Sequence, residues 1–336
     1  MKHLAKRHLL VAATAAAALS LTACGTTEPA ADAKGAQDSG KTKAVTLTDA
    51  SGAEVKLDGP ATKVVGTEWN VVESLLSLGV QPAGVADVKG YQLWNTAVPL
   101  KGEPKDIGTR GEPSMDTVAA LAPDLIVATT DLPEAAVKQL RDVAPVLQVR
   151  SADGAGQIDQ MLENVDLIAK ATGTEDKAGQ VRERFDAKLE EGKKALDEAG
   201  LAGEGIAFAD GYVTSNQVSV RPYTATSLIG EVNTELGLRN TWKMKGDESY
   251  GLAATDVEGL TKLPKDTRFA YIGSDGDENS TPFAKGGVLE DNAVWKSLPF
   301  VESGDVHRLD DGIWMFGGPG SMEAYVDALV EALTKK

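Results

Sequence analysis

The sequence is poor in cysteine and histidine, and both shortages limit what the protein can be. Cys24 is the only cysteine among 336 residues, and two of the three histidines, His3 and His8, lie within the first ten residues. His307 is therefore the only histidine of the remaining chain. This supply disfavours a zinc site built from Cys and His, and one thiol cannot form a disulfide within its own chain.

Motifs of catalysis and of nucleotide binding are also missing. A Ser-His-Asp hydrolase would have to use His307, and no G-x-S-x-G segment supplies its nucleophile. The Gly-rich stretch GGPGS at 317–321 lacks the lysine of a phosphate-binding loop and the spacing of a dinucleotide-binding loop. The alternation in GDVHRL indicates that His307 is an edge or core residue of a short strand. We therefore expect a protein that is not an enzyme.

Positive charge is scarce as well. The chain has 34 Lys and Arg against 50 Asp and Glu, which gives a formal net charge of −16 at pH 7. Proteins that bind nucleic acid need a basic face for the phosphates. We expect no nucleic-acid partner.

The first residues have the pattern of a bacterial export signal. Lys2, Lys6 and Arg7 precede an apolar, Ala-rich run at 9–21, which is too short to span a bilayer as an anchor. We predict a signal peptide over residues 1–23. It ends in Leu-Thr-Ala-Cys, which resembles the lipobox of bacterial lipoproteins, in which the cysteine is acylated and becomes the new N-terminus. Cys24 is thus the predicted lipidation site.

Residues 24–43 contain no large apolar side chain. Such a segment cannot bury enough surface to offset the entropy lost on ordering. We predict a flexible tether between the lipid on Cys24 and the folded body. The predicted location is the extracytoplasmic face of the cell membrane.

The body of the chain alternates predicted helices with short strands that are apolar throughout, which is typical of parallel sheets covered by helices on both faces. The strands are predicted at 63–69, 83–86, 123–130 and 146–149 in the first half and at 206–209, 268–272 and 306–309 in the second. A single helix is predicted over 289–298. The fold class is therefore α/β, with two lobes of mostly parallel sheet.

One long helix is predicted between the two lobes. Val181, Phe185, Leu189 and Leu196 recur at helical spacing within residues 174–200. We predict an N-terminal lobe over residues 44–173, this interlobe helix, and a C-terminal lobe over residues 201–336.

Large aromatics and arginines occur in segments predicted as loops of both lobes. In open α/β sheets, ligands bind beyond the carboxyl ends of the strands, where such loops lie. If the lobes face each other, these side chains would line one cleft. The candidate ligand-binding residues are Trp94, Arg110, Arg221, Tyr250 and Trp314.

Several segments resemble the substrate-binding lipoproteins of ferric hydroxamate siderophore importers, within the cobalamin and siderophore class of binding proteins. EWNVVESLLSLGVQPAGVAD is similar to the first helix-strand unit of that family, and YQLWN followed by IGTRGEPSM to its stretch with a binding Trp and a binding Arg. LEDNAVWKSLPFVESGDVHRL and IWMFGGPGSM are similar to its closing segment. The likeness runs from Lys63 to the C-terminus.

The resemblance implies a class III periplasmic binding protein fold, with two Rossmann-like lobes, one rigid bridging helix and a shallow cleft. It assigns ligand contact to Trp94, Arg110 and Trp314. A tyrosine of some members is absent after the central strand of the first lobe, where Thr129 and Thr130 stand. Tyr250 takes the place of a second-lobe tryptophan, and Arg221 aligns only loosely with an arginine of Gram-positive relatives.

The ligand implied by the resemblance is an iron(III) siderophore complex of the hydroxamate type, bound without a cofactor by a monomer. Cobalamin, haem or a catecholate siderophore remain alternative ligands, and a siderophore hydrolase is an alternative from a different class. The partner implied is an ABC transporter permease. Glu73 and Glu231 each stand five residues before a Leu-Gly pair, in equivalent helices of the two lobes, and are predicted to dock onto it.

Overall fold

The computed structural model describes residues 43–154, 156–215 and 217–335. The predicted signal peptide, Cys24 and nearly all of the tether lie outside the described residues. The described chain begins with an antiparallel hairpin of β1 (Val45–Thr48) and β2 (Glu54–Leu57), as the alternating pattern predicts.

The first lobe is built on a five-stranded sheet whose strands are all parallel, in the order β5-β4-β3-β6-β7. Every residue of its central strands is buried because helices cover both faces. The elements in chain order are β3 (Val64–Gly66), α1 (Trp69–Ser77), β4 (Gly84–Val85), α2 (Val88–Trp94), β5 (Lys105–Asp106), α3 (Met115–Leu121), β6 (Leu125–Thr129), α4 (Glu134–Arg141), β7 (Val146–Val149) and α5 (Gln157–Thr172).

A long helix, α6 (Glu175–Glu198), connects the two lobes. Ala178 and Val181 near its start belong to the apolar core of the first lobe. Phe185 and Leu196 belong to the core of the second. One helix therefore contributes side chains to both cores.

The second lobe has a sheet with parallel strands in the order β10-β8-β11-β12, and β9 pairs antiparallel with β8. Two short 3-10 turns, Glu258–Lys262 and Glu278–Ser280, lie in its connections. The elements in chain order are β8 (Gly205–Thr214), β9 (Gln217–Pro222), α7 (Leu228–Glu235), β10 (Arg239–Asn240), β11 (Thr267–Tyr271), α8 (Ala293–Lys296), α9 (Pro299–Ser303), β12 (Val306–Arg308) and α10 (Pro319–Thr334).

Three local predictions are wrong. The strand predicted over 63–69 ends at Gly66, and Glu68 caps helix α1 instead. The helix predicted over 289–298 is only the short helix α8, because Pro299 keeps Leu298 in an extended conformation and starts the separate helix α9. The segment around Arg221, predicted as a loop, is strand β9.

The predicted fold class of two α/β lobes with mainly parallel sheets is confirmed. Within the described residues, no helix combines the length and apolarity needed to cross a membrane.

Candidate ligand-binding cleft

Two adjoining depressions, of about 290 and 330 Å³, lie where loops of the two lobes meet, and we call them together the cleft. Arg110, Arg221 and Trp314 line both depressions. Tyr250 lines the smaller one and Trp94 the larger one. The structure thus brings all five candidate ligand-binding residues together around one concave surface.

Arg110 is held by an acid and two indole rings. Its Nη1 donates to Glu68 Oε1 at 2.9 Å, and its guanidinium carbon lies 4.0 Å from the ring centroid of Trp69 and 5.3 Å from that of Trp314. The Arg110 side chain keeps 34% of its surface exposed. Guanidinium has five N–H donors, and the contact with Glu68 uses one of them, so donors remain for a ligand.

The aromatic wall of the cleft is continuous. The rings of Trp69 and Trp314 meet edge to face, with centroids 4.7 Å apart, and Trp314 meets Phe316 at 5.2 Å. Trp69 is fixed in place because its Nε1 donates to the Ala86 carbonyl at 3.2 Å. Such rings present a broad apolar surface at little cost in side-chain entropy.

Trp94 is the last residue of α2, so the prediction that it stands on a loop is wrong. It is half-buried and packs against the cluster around Trp69 and Tyr91. Its remaining surface faces the larger depression.

Arg221 is paired with Asp210 across the two strands of a hairpin. Arg221 Nε donates to Asp210 Oδ1 at 2.9 Å, and a second bond joins Arg221 Nη2 to Asp210 Oδ2. Burial raises the pKa of the Asp210 carboxyl, while the charge of Arg221 opposes the shift. The guanidinium also lies 5.2 Å from the ring of Phe316, which extends the aromatic wall into the second lobe.

Tyr250 bridges the two lobes at the smaller depression. Its hydroxyl donates to the Asp131 carboxylate, which stands in the turn after β6 of the first lobe, and its ring meets Phe316 edge to face at 5.5 Å. Burial, followed by the bond to Asp131, raises the pKa of Tyr250. The hydroxyl therefore stays protonated near neutral pH and acts as a donor.

Both arginines of the cleft are paired with acids. Its two arginines, Arg110 and Arg221, each contact a carboxylate, Glu68 and Asp210, at hydrogen-bond distance. Asp131 adds a further acid beside Tyr250. The cleft therefore carries no surplus of positive charge.

Sequence reasoning missed several residues of this site, four of which hold or extend the groups described above. Glu68 and Trp69 follow the carboxyl end of β3, Asp210 continues β8 beyond its parallel partners, and Phe316 follows Trp314 by two residues. The rule that ligands bind beyond the carboxyl ends of parallel strands marks the first three positions, once the ends of these strands are placed correctly.

The prediction that Glu73 docks onto a permease is wrong because its side chain is fully buried. Glu73 Oε1 accepts from the Ser321 amide at 2.7 Å, and Oε2 accepts from the Ser321 hydroxyl at 2.7 Å and from Asn95 Nδ2 at 3.0 Å. Ser321 lies in the first turn of α10, whose N-terminal amides favour a negative charge. Glu73 of the first lobe is thus the cap of a second-lobe helix.

Glu231 has the mirror-image role. This half-buried side chain of α7 accepts from the amides of Gly156, at 3.1 Å, and Ile158, at 3.0 Å, at the start of α5. Helix α5 packs its later residues, Val165 and Ile168 among them, into the first-lobe core. The two glutamates that sequence reasoning paired are therefore equivalent, but each one caps a helix across the lobe boundary.

The Gly-rich segment before α10 makes room for Glu73. A side chain at Gly317 would bring its Cβ within 2.5 Å of Glu73 Oε2, and one at Gly318 within 3.2 Å of Oε1. This segment does cradle an anionic group, and that group is a carboxylate of the protein itself.

His307 lies on strand β12, as predicted, and not among the residues that line the cleft. Burial lowers its pKa, and its Nε2 is 4.0 Å from Asp305 Oδ1. Among residues 43–335, apart from 155 and 216, no group of three or more His, Cys, Asp or Glu is arranged to hold a metal ion.

Two α/β lobes that share a long helix and enclose an aromatic cleft define a bilobed substrate-binding protein. The chain belongs to the periplasmic binding protein family, whose profile matches residues 64–312. The resemblance to the binding proteins of iron-siderophore importers is thereby confirmed.

Three similar proteins show the range of the family. The Fe(3+)-citrate-binding protein YfmC of Bacillus subtilis is 27% identical over 290 residues, covering 83% of either chain. The iron(3+)-hydroxamate-binding protein FhuD of the same organism is 27% identical over 320 residues, covering 94% of either chain. The structure of Fe3+-Desferal-bound FhuD from Vibrio cholerae has 26% identity and a TM-score of 0.71, and covers 81% of this chain and 98% of its own.

Proposed function

We propose that the protein captures ferric hydroxamate siderophores outside the cytoplasmic membrane and delivers them to an ABC permease for iron uptake. The family, the cleft and the named relatives support a siderophore-binding role. The finer choice of hydroxamate ligands rests on the charge balance of the cleft.

The balanced pairs Arg110–Glu68 and Arg221–Asp210 carry this choice. Three hydroxamate groups, each with one negative charge, neutralise Fe³⁺, so the centre of such a chelate is neutral. A tris-catecholate complex instead carries three negative charges. Each carboxylate of the cleft cancels most of the attraction that its paired arginine would exert on an anionic charge 8 Å away, about 2 kcal/mol at an effective dielectric constant of about 20. The cleft therefore has no net positive charge to stabilise a trianionic complex, and a neutral or cationic chelate needs none.

The same arginines can still recognise the iron centre. Hydroxamate oxygens keep a partial negative charge when they bind iron, and a guanidinium donates several hydrogen bonds at any working pH. Arg110 faces the cleft with donors to spare. A hexadentate siderophore also fills the coordination shell of its iron, so the protein does not need to supply a metal ligand.

The aromatic wall suits the organic part of the ligand. Siderophore linkers are apolar, and the rings of Trp69, Trp314 and Phe316 form one surface along the cleft. Binding at 1 μM requires about 8 kcal/mol. Two to four ring contacts contribute about 1.5–3 kcal/mol each, and one or two charge-assisted hydrogen bonds contribute about 1.5–3 kcal/mol each. Their sum is large enough to leave this net binding free energy once the entropic cost of association is subtracted.

The alternative of a siderophore hydrolase loses its strongest candidate group, because His307 stands on β12 away from the cleft lining. Haem, cobalamin and catecholate siderophores stay as competing ligands. Ferric dicitrate joins them, since a relative is named for ferric citrate.

The sequence motif at Cys24 supports anchoring by lipid on the outer face of the membrane, from which the folded body presents its ligand to the permease. The proposal predicts that deleting the gene impairs cellular uptake of radioactive iron supplied as a ferric hydroxamate. Reintroducing the intact chain restores it.

Titration of the tryptophan fluorescence tests the ligand class. The panel is a linear ferrioxamine, ferrichrome, a ferric tris-catecholate, ferric dicitrate, haem and cobalamin, with each ligand also titrated into free tryptophan as a control for optical absorption. We expect saturable quenching by the ferric hydroxamates at micromolar concentration or below. Saturable quenching by another ligand alone would overturn the proposal.

A further inference from the structure

Strands β8 and β9 form a two-stranded ribbon that extends beyond the second sheet. The pairing of β8 with β11 ends at Ala209 and Tyr271. Strand β8 then continues to Thr214, paired along this length with β9. Because β8 and β11 are parallel, the ribbon continues from the carboxyl edge of the sheet, which is where the cleft lies.

One face of the ribbon is a wall of the cleft. Asp210 stands opposite Arg221 and Tyr212 opposite Ser219, so these four side chains share a face. All four line the larger depression. The charged pair sits at the base of the ribbon, and Tyr212 and Ser219 stand further out.

Tyr212 is unusually exposed for an aromatic residue. It keeps 47% of its surface accessible, and the other large apolar side chain exposed to this degree in the described chain is Val288, at 44%. Val288 does not line the cleft, whereas Tyr212 does. Trp94 lines the same depression from the first lobe, so each lobe contributes an aromatic ring to it.

The opposite face of the ribbon fixes its position. A Cβ at Gly211 would come within 2.6 Å of Pro282 Cγ and 2.7 Å of the ring of Phe283, which is a buried core residue. Glycine therefore lets the ribbon lie directly on the core of the second lobe. The backbone that carries Tyr212 on the other face is thereby fixed beside the cleft before any ligand arrives, which lowers the cost of binding.

We propose that Tyr212 is a specificity-determining residue, whose ring covers the apolar linkers between the hydroxamate groups of the ligand, across the depression from Trp94. This inference rests on the proposed function, and it identifies the apolar linkers as the part of the ligand that Tyr212 recognises. The arginines contact the hydroxamate oxygens around the iron, and the ring of Tyr212 on the ribbon contacts the polymethylene chain of a linear siderophore.

The test compares the Kd of a linear ferrioxamine for the wild type, Tyr212→Ala, Tyr212→Phe and Val288→Ala, with thermal unfolding as the check on folding. Tyr212→Ala should raise the Kd about tenfold, because a ring that the ligand would cover is lost. Tyr212→Phe keeps the ring and should stay within about twofold of the wild type. Val288→Ala, which removes an exposed apolar side chain outside the cleft, should do the same.

Each result has one meaning. A Tyr212→Ala variant that binds like the wild type overturns the inference and leaves the proposed function standing. If Tyr212→Phe is folded and its Kd rises as much as that of Tyr212→Ala, then the ligand contacts the hydroxyl and not the ring, which also overturns the inference. Failure of the wild type to bind any ferric hydroxamate refutes the proposed function itself.

Discussion

The guanidinium of Arg110 lies 4.0 Å from the ring centroid of Trp69 while its Nη1 donates to Glu68. Glu68 and Trp69 are consecutive, at the N-cap and first turn of α1, so one helix end positions the cation from two directions. A guanidinium stacked on an indole face gains a cation–π attraction and loses little freedom when a ligand binds. The cleft thus presents its donors already in place.

Arg110→Ala should weaken binding of a ferric hydroxamate by about 1.5–3 kcal/mol, or about ten- to a hundredfold, because its charge-assisted hydrogen bonds are lost. Arg110→Lys should recover part of this, since lysine lacks the planar fork. Fluorescence titration measures both. Arg184→Ala is the matched control, because Arg184 is an exposed arginine on α6 that pairs with Glu323 outside the cleft. Unchanged affinity in Arg110→Ala would mean that this residue does not contact the ligand.

Glu68→Gln should change the charge selectivity of the cleft. Glutamine can still accept from Arg110 and from the Trp69 amide, which Glu68 caps at 2.8 Å. The variant loses one negative charge, so its affinity for an anionic tris-catecholate complex should rise about tenfold, with a smaller gain at high salt. The Kd of a ferric hydroxamate should move by less than about threefold. An equal gain for both ligands would contradict the charge argument.

Glu73 makes the stability of the protein depend on pH. Burial raises the pKa of its carboxyl above the ordinary value of 4.5, although the bonds from Ser321 and Asn95 oppose the shift. The folded state therefore holds the proton more tightly than the unfolded state does. The contribution of Glu73 to stability is then greatest at low pH and declines as the pH rises from about 4.5 through the raised pKa.

Urea unfolding of the wild type and of Glu73→Gln over a pH series measures this effect. The free energy of unfolding of the wild type, relative to the Gln variant, should fall as the pH rises from about 4.5. Glu73→Ala should cost about 3 kcal/mol at low pH, since it leaves the buried donors of Ser321 and Asn95 without their acceptor, and this cost should decline with rising pH as the contribution of Glu73 does. A wild-type advantage that grows with pH would show the opposite sign of shift.

Cys24→Ser should abolish lipid attachment. The variant should lose metabolic labelling by a fatty acid and move from the membrane fraction to the soluble fraction, while its purified body binds the siderophore as the wild type does. An anchored Cys24→Ser variant would show that another segment holds the protein at the membrane.

The apolar strands and the long helix α6 could be predicted from the sequence because burial on both faces of a sheet leaves a continuous apolar run, as in LIVAT at β6. Strand β9 could not, because its sequence QVSVRP combines an exposed face with a closing proline and carries the charged Arg221. That charge is satisfied by Asp210, eleven residues earlier in the chain. The ion pair forms only in the tertiary structure, so the local sequence pattern around Arg221 does not predict it.

Some residues of the candidate site could likewise be predicted from the sequence and others could not. Trp94, Arg110, Arg221, Tyr250 and Trp314 stand out in the sequence because large aromatics and cations are rare outside periodic runs. Trp69 escaped notice because it begins an apolar helix and reads as core, which it also is, at 3% exposure. The paired glutamates were recognised as equivalent, but periodicity could not show that Glu73 points inward, onto the backbone of a helix 248 residues away.

The crossed caps have a consequence for how the chain holds together. Glu73 completes the first turn of α10, and Glu231 completes the first turn of α5. A lobe expressed alone would keep its own glutamate without a partner and leave the amides of one helix end uncapped. The two lobes therefore depend on each other for secondary structure as well as for packing, and we expect them to unfold as a single cooperative unit rather than one after the other.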